Sequence, residues 1–377
     1  MSSQQPLKRI LIMTGGTGGH VFPGLALAAF LQDQGIEVHW LGTTKGIEAR
    51  LVPESGIPFH VITIQGLRGK GLKAIFHAPV KIWRAISQSR RIIQMINPQV
   101  VIGLGGFVSG PGGVASWLLR RPLIIHEQNA KAGLTNQILA KVAASVLSGF
   151  PQAFRNRKKV ITIGNPVRRE IETLSAPKIR FDERKGPLRL LVLGGSLGAQ
   201  VFNEVLPKML SELDEKDRPC IVHQTGVNQW ESTVALYQSM GLQPNDRLTI
   251  KPFIDDMKEA YAWADLVLCR AGALTVTELC AVGLGAIFIP YPYAVDDHQT
   301  ANAQFMVKHQ AALCVPQSEF NSAFLGKLLR PFNQSREQCL TMANAAYALR
   351  KPNVPQHIFS VISDVYEHHQ AISHNAK

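Results

Sequence analysis

Early in the chain stands the segment Ile10-Leu11-Ile12-Met13-Thr14-Gly15-Gly16-Thr17-Gly18-Gly19-His20, an apolar run that passes into a glycine-rich loop. The run predicts a buried strand, and the apolar stretch from Leu25 predicts a helix. Glycines leave the backbone N–H groups uncovered, and a helix N-terminus favours negative charge. The loop therefore predicts a site for a diphosphate or another anion, with a titratable imidazole, His20, at its edge. A tight strand-to-helix turn without a ligand is the alternative.

The alternation of short apolar runs and helical patterns continues through the whole chain. It is typical of parallel sheets wrapped by crossover helices. A second apolar run ends at Leu193 and meets a second glycine-rich loop, 194–199. We therefore predict an α/β protein of two doubly wound, Rossmann-like domains facing a cleft. The predicted strands are Ile10–Met13, Val38–Leu41, His60–Ile64, Val100–Ile102, Leu123–Ile125, Val146–Leu147, Leu190–Leu193, Cys220–Gln224, Leu248–Ile250, Leu266–Cys269 and Ala286–Ile289.

Polar and proline-containing stretches mark the domain boundaries. Gly164-Asn165-Pro166-Val167-Arg168 and the polar stretch 175–187 predict a hinge and its continuation. The N-terminal domain is expected to span 7–167 and the C-terminal domain 168–350, and an amphipathic helix at about 353–370 is expected to pack back on the first domain. The charge-free segment 100–119 predicts a strand, a glycine-rich loop and a helix beginning near Gly113.

Composition limits the class of protein and its partners. The chain has 377 residues, of which 46% are hydrophobic and 18% charged, as in soluble globular proteins. Its net charge of +13 points to an anionic partner, which could be nucleic acid, a membrane surface or a phosphate-bearing substrate. The five cysteines form no CxxC pair and predict reduced thiols. The polar first residues predict no secretion signal, so we expect a cytoplasmic protein.

The first loop does not fit the common nucleotide-binding motifs. It lacks the Gly-x-Gly-x-x-Gly spacing, and the second strand carries Glu37 at its start rather than a carboxylate at its end. No Walker lysine follows the loop, which argues against a nucleotide triphosphatase. No Asp-x-Asp occurs in the chain, so we expect no obligatory protein-bound metal. We also expect no cofactor.

Three further polar clusters follow predicted strands. Glu278 lies shortly after the strand that ends at Cys269 and could accept hydrogen bonds from two ribose hydroxyls. Thr275 and Glu278 also fit a capping box, which is the structural alternative. The loop 296–302 offers the amides of Gln299 and Asn302 to a sugar, and 126–129 forms another cluster at a strand end.

A basic stretch interleaved with apolar residues predicts a surface that lies on anionic lipid. A solvated helix whose apolar side chains face the core is the alternative. The residues predicted to contact the membrane are Lys70, Lys73, Ile75, Lys81, Trp83 and Arg84.

Taken together, the motifs resemble the MurG family of peptidoglycan glycosyltransferases. The segments that carry the resemblance are 15–24, 105–111, 126–129, 164–168, 194–196 and 273–276. The resemblance implies a GT-B glycosyltransferase fold with an N-terminal acceptor domain and a C-terminal donor domain. It implies inverting transfer of N-acetylglucosamine from UDP-N-acetylglucosamine to the 4-hydroxyl of the N-acetylmuramyl group of undecaprenyl-pyrophosphoryl-N-acetylmuramyl-pentapeptide. It also implies peripheral docking on the cytoplasmic face of the anionic inner membrane, with no nucleic acid partner.

The resemblance also assigns the donor site. Uracil would meet the backbone around Ile254, and the ribose would meet Glu278. The diphosphate would meet Ser196 and the helix start Ala273–Thr275, and the sugar hydroxyls would meet Gln299 and Asn302. The residues assigned to UDP-N-acetylglucosamine are Thr17, Gly18, Gly19, Asn129, Arg168, Ser196, Ile254, Ala273, Leu274, Thr275, Val276, Thr277, Glu278, Gln299 and Asn302.

Chemistry then requires a base for the acceptor hydroxyl and a partner for the departing diphosphate. A near-neutral imidazole can take the proton, so His20 is the predicted base and Glu127 its rival. Helix N-terminal N–H groups and Arg168 can balance the growing negative charge. A GT-B transferase with another acceptor is one alternative function. A non-catalytic protein that binds membrane or nucleic acid is another, from a different class.

Overall fold

A computed structural model describes residues 6–64, 78–154, 159–182, 184–195 and 197–375. The chain divides into two compact units. The first unit consists of Met1–Arg168 with Asn353–Lys377, and the second of Arg169–Pro352.

The first unit is built on one parallel sheet with the strand order β3-β2-β1-β4-β5-β6-β7 among the described residues. Its strands are β1 (Arg9–Met13), β2 (Glu37–Gly42), β3 (Phe59–Val61), β4 (Val100–Gly103), β5 (Leu123–Glu127), β6 (Ser145–Ser148) and β7 (Ile161–Thr162). Its first helices are α1 (Gly18–Asp33), α2 (Glu48–Glu54), α3 (Ala78–Ile96), α4 (Gly106–Leu118) and α5 (Leu134–Leu139).

The second unit repeats this arrangement with the strand order β10-β9-β8-β11-β12-β13, also parallel. Its strands are β8 (Arg189–Leu193), β9 (Cys220–Gln224), β10 (Leu248–Lys251), β11 (Leu266–Cys269), β12 (Gly285–Phe288) and β13 (Ala312–Cys314). Its helices are α6 (Arg169–Glu172), α7 (Pro177–Phe181), α8 (Gln200–Glu212), α9 (Trp230–Ser239), α10 (Met257–Trp263), α11 (Ala273–Val282), α12 (His298–Val307), α13 (Ser322–Gln334) and α14 (Glu337–Ala348).

The two predicted doubly wound domains are confirmed, since each sheet has the Rossmann order and helices cover both of its faces. Ile10 and Leu11 point to opposite faces of β1 and are both fully buried. A strand covered on both faces reads as a continuous apolar run, which is why the sequence revealed it. The short edge strands β7 and β13, of two and three residues, were not predicted from the sequence.

Helix α4 begins at Gly106, earlier than the residue near Gly113 that the sequence indicated. Its glycines lie where side chains of the same unit press against the helix. A Cβ on Gly112 would come 2.3 Å from the Met13 sulfur, and a Cβ on Gly113 would come 2.7 Å from the Leu139 methyl groups. Close packing therefore outweighs the low helix propensity of glycine here. Among the described helices, none combines the length and apolar character needed to cross a membrane.

The polar stretch 175–187, expected to continue the hinge, is attached to the second unit. Arg184 pairs with the fully buried Asp265 of the second unit. Arg336 donates to the other oxygen of the same carboxylate at 2.9 Å and also to the carbonyl of Pro187 at 2.7 Å. A buried carboxylate with two cationic partners holds its neighbours firmly, so this stretch is anchored to the second unit.

The terminal helix α15 (Val354–Asn375) packs on the first unit. Ile358 and Ile362 are fully buried in the core of that unit. The Gln99 amide donates to the Tyr366 hydroxyl at 2.7 Å. The helix thus extends the core on one side of the first sheet.

Candidate functional site

Each sheet reverses its strand order once, between β1 and β4 in the first unit and between β8 and β11 in the second. In doubly wound folds the crevice outside the carboxyl ends of the strands at this switch point is the usual ligand site. Most of the sequence-predicted site residues lie on the loops and helix starts that follow these four strands.

The glycine-rich loop after β1 rests on a buried carboxylate that the sequence analysis missed. Glu48 is fully buried and accepts the Gly16 N–H at 3.0 Å and the Thr43 hydroxyl at 2.8 Å. A Cβ on Gly15 would come 2.3 Å from the same carboxylate. The N–H of Gly16 therefore faces Glu48, and the N–H groups of Gly18 and Gly19 at the start of α1 are the ones that can meet an anion.

The loop after β4 lies directly against the loop after β1. Gly105 and Gly106 have φ values of +90° and +78°, which favour glycine. A Cβ on Gly106 would come 2.3 Å from the Gly15 carbonyl oxygen, and a Cβ on Gly105 would come 3.0 Å from the ring of His20. The second glycine-rich loop of this unit is thus required for the position of the first.

The predicted base His20 is joined to the 126–129 cluster. Its Nδ1 lies 2.9 Å from the Gln128 side-chain oxygen. The Gln128 amide nitrogen lies 3.2 Å from His126 Nδ1, and His126 Nε2 lies 2.7 Å from the Gly164 carbonyl oxygen. Burial lowers the pKa of His126 and so favours the neutral imidazole. The structure therefore brings together three segments that the sequence indicated separately.

The rival base Glu127 is surrounded by donors. One oxygen accepts the backbone and side-chain N–H groups of Asn129 at 3.0 and 3.2 Å. The other oxygen accepts from the Gly133 N–H at 3.1 Å and the Asn136 amide at 2.8 Å. Only 3% of Glu127 is exposed. This arrangement ties the loop 128–136 to the end of β5.

Two further donor-site candidates of the first unit lie near the start of α1. Thr17 is the residue before the first turn of that helix. The guanidinium of Arg168 lies 5.7 Å from the centre of the Phe22 ring, a distance typical of a cation–π contact.

In the second unit the start of α11 lies at the switch point. Gly272 precedes the helix, and the Val276 N–H already bonds to the Gly272 carbonyl. Because the first N–H groups of a helix lack intrahelical partners, those of Ala273, Leu274 and Thr275 can bind an anion. Val276 is fully buried, and the Thr277 hydroxyl donates to the Ala273 carbonyl at 2.8 Å.

The capping-box interpretation of Glu278 is wrong. Thr275 lies within the first turn of α11 rather than before it, so the pair does not have capping geometry. The Glu278 carboxylate instead accepts the Tyr261 hydroxyl of α10 at 2.9 Å, and both residues are buried. The sequence analysis missed Tyr261 because no local pattern links it to Glu278.

The backbone at Ile254, predicted to bind uracil, is held by a residue that the sequence did not indicate. The Ile254 N–H donates to the Gln224 side-chain oxygen at 3.2 Å. The Gln224 amide in turn donates to the Gly195 carbonyl at 2.9 Å. Gln224 therefore links the loop after β8 to the loop after β10. Ser196 lies outside the described residues.

The two amides assigned to the sugar have different surroundings. The Gln299 side-chain oxygen accepts the Tyr291 N–H at 2.9 Å, which turns its amide nitrogen toward other acceptors. Asn302 is fully buried and donates to the Ala271 carbonyl at 3.1 Å, so it supports the loop before α11. Within the described part of the chain, no three His, Cys, Asp or Glu side chains are arranged to hold a metal ion.

Helix α3 carries the described part of the predicted membrane surface. Trp83 is 71% exposed, and the charged Lys81 and Arg84 flank it on the same exposed turn. The helix buries a different set, including Ala85 and Ile93, so Trp83 does not face the core. Lys70, Lys73 and Ile75 lie outside the described residues.

Further exposed apolar side chains lie on α4 and α5, and sequence reasoning did not select them. Helix α3 packs on α4, and α4 packs on α5. Isolated exposed apolar residues are ordinary, but a group on neighbouring helices marks an interaction surface. We define the apolar face as the exposed residues Val80, Trp83, Trp117, Leu118, Leu134 and Ile138.

Known proteins of one family match both units. The model of the glycosyltransferase family 28 N-terminal domain matches residues 10–148, and that of the family 28 C-terminal domain matches residues 189–358. The UDP-N-acetylglucosamine–N-acetylmuramyl-(pentapeptide) pyrophosphoryl-undecaprenol N-acetylglucosamine transferase of Marinobacter nauticus is 49% identical over 356 residues, covering 94% of this chain and 97% of the relative. The enzyme of the same name from Nitrosococcus oceani is 49% identical over 350 residues, covering 93% and 96%.

A solved structure agrees with these matches. The crystal structure of Acinetobacter baumannii MurG superimposes with a TM-score of 0.79 at 43% identity, covering 95% of this chain and 99% of that one. The fold and the sequence similarity both extend over nearly the whole chain. The chain therefore belongs to glycosyltransferase family 28, and it is a hexosyltransferase with the two Rossmann-like domains of the GT-B fold.

Proposed function

We propose that the chain transfers N-acetylglucosamine from UDP-N-acetylglucosamine to the N-acetylmuramyl group of an undecaprenyl-pyrophosphoryl-linked pentapeptide. The observation that carries the donor assignment is the start of α11, where unpaired N–H groups and the Glu278 carboxylate occur within two turns of one helix. Such a helix offers partners for a diphosphate and for the ribose beside it. The names of the relatives supply the identity of the sugar and of the lipid-linked acceptor.

In the proposed donor site, the N–H groups of Ala273, Leu274 and Thr275 bind the diphosphate. The Glu278 carboxylate, oriented by Tyr261, accepts hydrogen bonds from the ribose hydroxyls. The uracil ring bonds to the backbone at Ile254. The Gln224 side-chain oxygen accepts the Ile254 N–H in this structure and holds that backbone in place.

The proposed reaction is a single inverting displacement. The 4-hydroxyl oxygen of the muramyl group forms a bond to the anomeric carbon, and the bond from that carbon to the β-phosphate oxygen breaks. His20 takes the hydroxyl proton, and UDP departs with the bonding electron pair. The amides at the start of α11 stabilise its negative charge. Glu127 acts as the anchor of the 128–136 loop, since its four accepted hydrogen bonds leave it poorly placed to receive a proton.

The proposed location is the cytoplasmic face of the inner membrane, where the acceptor lipid would be anchored. The apolar face of the first unit would enter the headgroup region, and the cations Lys81 and Arg84 would contact anionic lipid. The net charge of +13 is in this interpretation a property of a membrane-associated protein rather than of one that binds nucleic acid.

The direct test offers labelled UDP-N-acetylglucosamine to the purified protein, with and without the undecaprenyl-linked muramyl pentapeptide in detergent micelles. We expect label in the lipid fraction only when the acceptor is present, and a β-linked product. Label on a different lipid or glycan acceptor would replace the acceptor assignment while keeping the donor. Absence of transfer to any acceptor, with no binding of the donor, would refute the proposed function.

A further inference from the structure

We infer that Gln128 is a positioning residue that fixes the tautomer of His20, with the proton on Nδ1 and the lone pair on Nε2. This tautomer makes Nε2 the atom that takes the proton of the acceptor hydroxyl. That catalytic consequence rests on the proposed function. The tautomer itself is a property of the folded chain and can be measured without any substrate.

The inference begins at a backbone carbonyl that can only accept. His126 Nε2 lies 2.7 Å from the Gly164 oxygen, so Nε2 carries the hydrogen. His126 is fully buried, and a neutral imidazole has one N–H. Its Nδ1 is therefore an acceptor.

A second carbonyl fixes the amide of Gln128. The Gln128 amide nitrogen lies 3.2 Å from His126 Nδ1 and 3.3 Å from the His126 backbone oxygen. Both of these atoms accept hydrogen bonds. Turning the amide over would place its oxygen against two acceptors at once, so the nitrogen faces His126 and the oxygen faces His20.

The oxygen of Gln128 then determines the state of His20. An amide oxygen has no hydrogen to donate, so the contact of 2.9 Å requires a hydrogen on His20 Nδ1. In the neutral ring, Nε2 is left with its lone pair. Gln128 is only 1% exposed, which keeps water from competing for its amide. The Asn165 amide also donates to the Gln128 backbone oxygen at 3.1 Å and holds the residue in place.

This arrangement suits a general base. When Nε2 takes a proton, both ring nitrogens carry hydrogens, and the bond from Nδ1 to Gln128 is retained. Without Gln128 the ring can populate the other tautomer, in which Nε2 carries the hydrogen and cannot accept a proton. Gly105 leaves room for the ring edge in this orientation, since a Cβ there would come 3.0 Å from His20 Nδ1.

The first experiment is a ¹⁵N NMR measurement of imidazole nitrogens in the free wild-type protein at about pH 8, above the ordinary imidazole pKa. The His20→Asn variant identifies the His20 signals by their loss. We expect a protonated Nδ1 and an unprotonated Nε2. A His20 ring with the hydrogen on Nε2, or a fast mixture of tautomers, would overturn the inference without any variant at Gln128.

The second experiment compares Gln128→Met with a matched control, Gln99→Met. Gln99 also donates and accepts through its amide within the first unit, but it lies before β4, at the opposite edge of the sheet from His20. We expect Gln128→Met to show both His20 tautomers and a kcat about 10- to 100-fold lower, with KM for UDP-N-acetylglucosamine within about twofold. Gln99→Met is expected to keep the tautomer and kcat of the wild type.

The outcomes separate the inference from the proposed function. An unchanged His20 tautomer in folded Gln128→Met would overturn the inference. An altered tautomer with unchanged kcat would overturn its catalytic consequence and leave the transferase assignment intact. A wild-type protein that has the expected tautomer but transfers no sugar would refute the proposed function alone.

Discussion

Three buried carboxylates lie beside the candidate sites, and each accepts hydrogen bonds from neutral donors. Glu48 accepts from the backbone of Gly16 and supports the first glycine loop. Glu127 holds the 128–136 loop, and Glu278 accepts from Tyr261. Burying a carboxylate is costly unless donors compensate for lost water. Glu48 and Glu127 accept from backbone N–H groups of the loops that they hold, whereas Glu278 accepts from a tyrosine hydroxyl of a neighbouring helix.

The first prediction at this scale concerns Glu278. Glu278→Gln keeps the size of the side chain but removes the charge that strengthens hydrogen bonds to hydroxyls. We expect UDP-N-acetylglucosamine to bind about 10- to 100-fold more weakly, as measured by isothermal calorimetry. Glu231→Gln, an exposed carboxylate on α9, is the control and is expected to bind like the wild type. Unchanged affinity in folded Glu278→Gln would remove the ribose assignment.

The second prediction concerns the proposed base. His20→Ala removes the imidazole, so kcat is expected to fall by about 100-fold or more while KM for the donor changes little. Steady-state transfer assays with saturating acceptor lipid measure both parameters. The exposed His309 of the second unit serves for comparison, and His309→Ala should retain full activity. A near-normal kcat in His20→Ala would exclude the imidazole as the base.

At the scale of elements, helix starts and the glycine loops before them form the candidate sites. Helix α11 presents unpaired N–H groups at the switch point of the second sheet, and α1 does so in the first. The start of α4 has a different role, because Gly106 packs on the backbone of Gly15. The position of one loop therefore depends on the glycine at the start of another element.

Gly106→Ala tests this dependence. Its Cβ would come 2.3 Å from the Gly15 oxygen, and the φ of +78° is unfavourable for alanine. We expect the free energy of unfolding to fall by about 2–4 kcal/mol in a denaturant titration, together with a loss of transfer activity. Gly133→Ala is the control, since nothing lies within 4 Å of its Cβ and its φ is −69°. Equal stability of the two variants would show that the loop contact is not required.

A second prediction at this scale concerns α3. The double variant Lys81→Glu/Trp83→Ser removes a cation and the large exposed ring of the apolar face. We expect about tenfold weaker partitioning to vesicles that contain phosphatidylglycerol, measured by sedimentation, and little binding of either protein to phosphatidylcholine vesicles.

The control for this experiment is Lys178→Glu/Ile179→Ser in the second unit, where Ile179 is 70% exposed. It makes the same kind of change outside the apolar face and is expected to partition like the wild type. If both double variants partition equally weakly to phosphatidylglycerol vesicles, the location of the change does not matter and α3 is not a specific membrane contact. If neither double variant partitions more weakly than the wild type, α3 does not form part of the membrane-binding surface.

At the scale of the whole molecule, the two units share one topology but serve different proposed roles. Both sheets bury apolar strands on both faces, and some titratable side chains are buried with them. His223 on β9 is fully buried and contacts the Tyr237 hydroxyl on α9 at 3.1 Å. Burial lowers the pKa of His223 from 6.5 to about 3. Stability must therefore depend on pH.

The direction of this dependence follows from proton linkage. Below pH 6.5 the unfolded chain binds a proton at His223, whereas the folded protein stays neutral there down to about pH 3. Acid therefore favours unfolding, and we expect a loss of roughly 2–3 kcal/mol from this group between pH 6.5 and about pH 4.5. Urea titrations across this interval measure the slope. The buried His126, whose pKa burial also lowers, adds a slope of the same sign.

The variant for this prediction is His223→Gln, which can still bond to Tyr237. Its stability should vary less with pH than that of the wild type, and the difference should vanish above about pH 7. His309→Gln, an exposed site, should keep the wild-type slope. Parallel slopes for wild type and His223→Gln would show that this histidine does not contribute to acid sensitivity.

The sequence alone determined the two parallel-sheet domains, because fully buried strands and the glycine loops after them are local signals. It also indicated His20, Glu278 and the start of α11 as candidates, since these residues follow strands directly. The sequence missed Glu48, which no motif marks.

Tertiary structure decided which side chains hold these candidates in place. His20 meets Gln128 across a separation of 108 residues, and Glu278 meets Tyr261 on a neighbouring helix. It also decided that α4 begins at Gly106, because the packing of its glycines depends on side chains from other elements. Hydrogen-bond partners and close contacts between elements distant in sequence have no local pattern. For that physical reason the chain alone predicted where a site would form, and the folded protein determined how its groups are oriented.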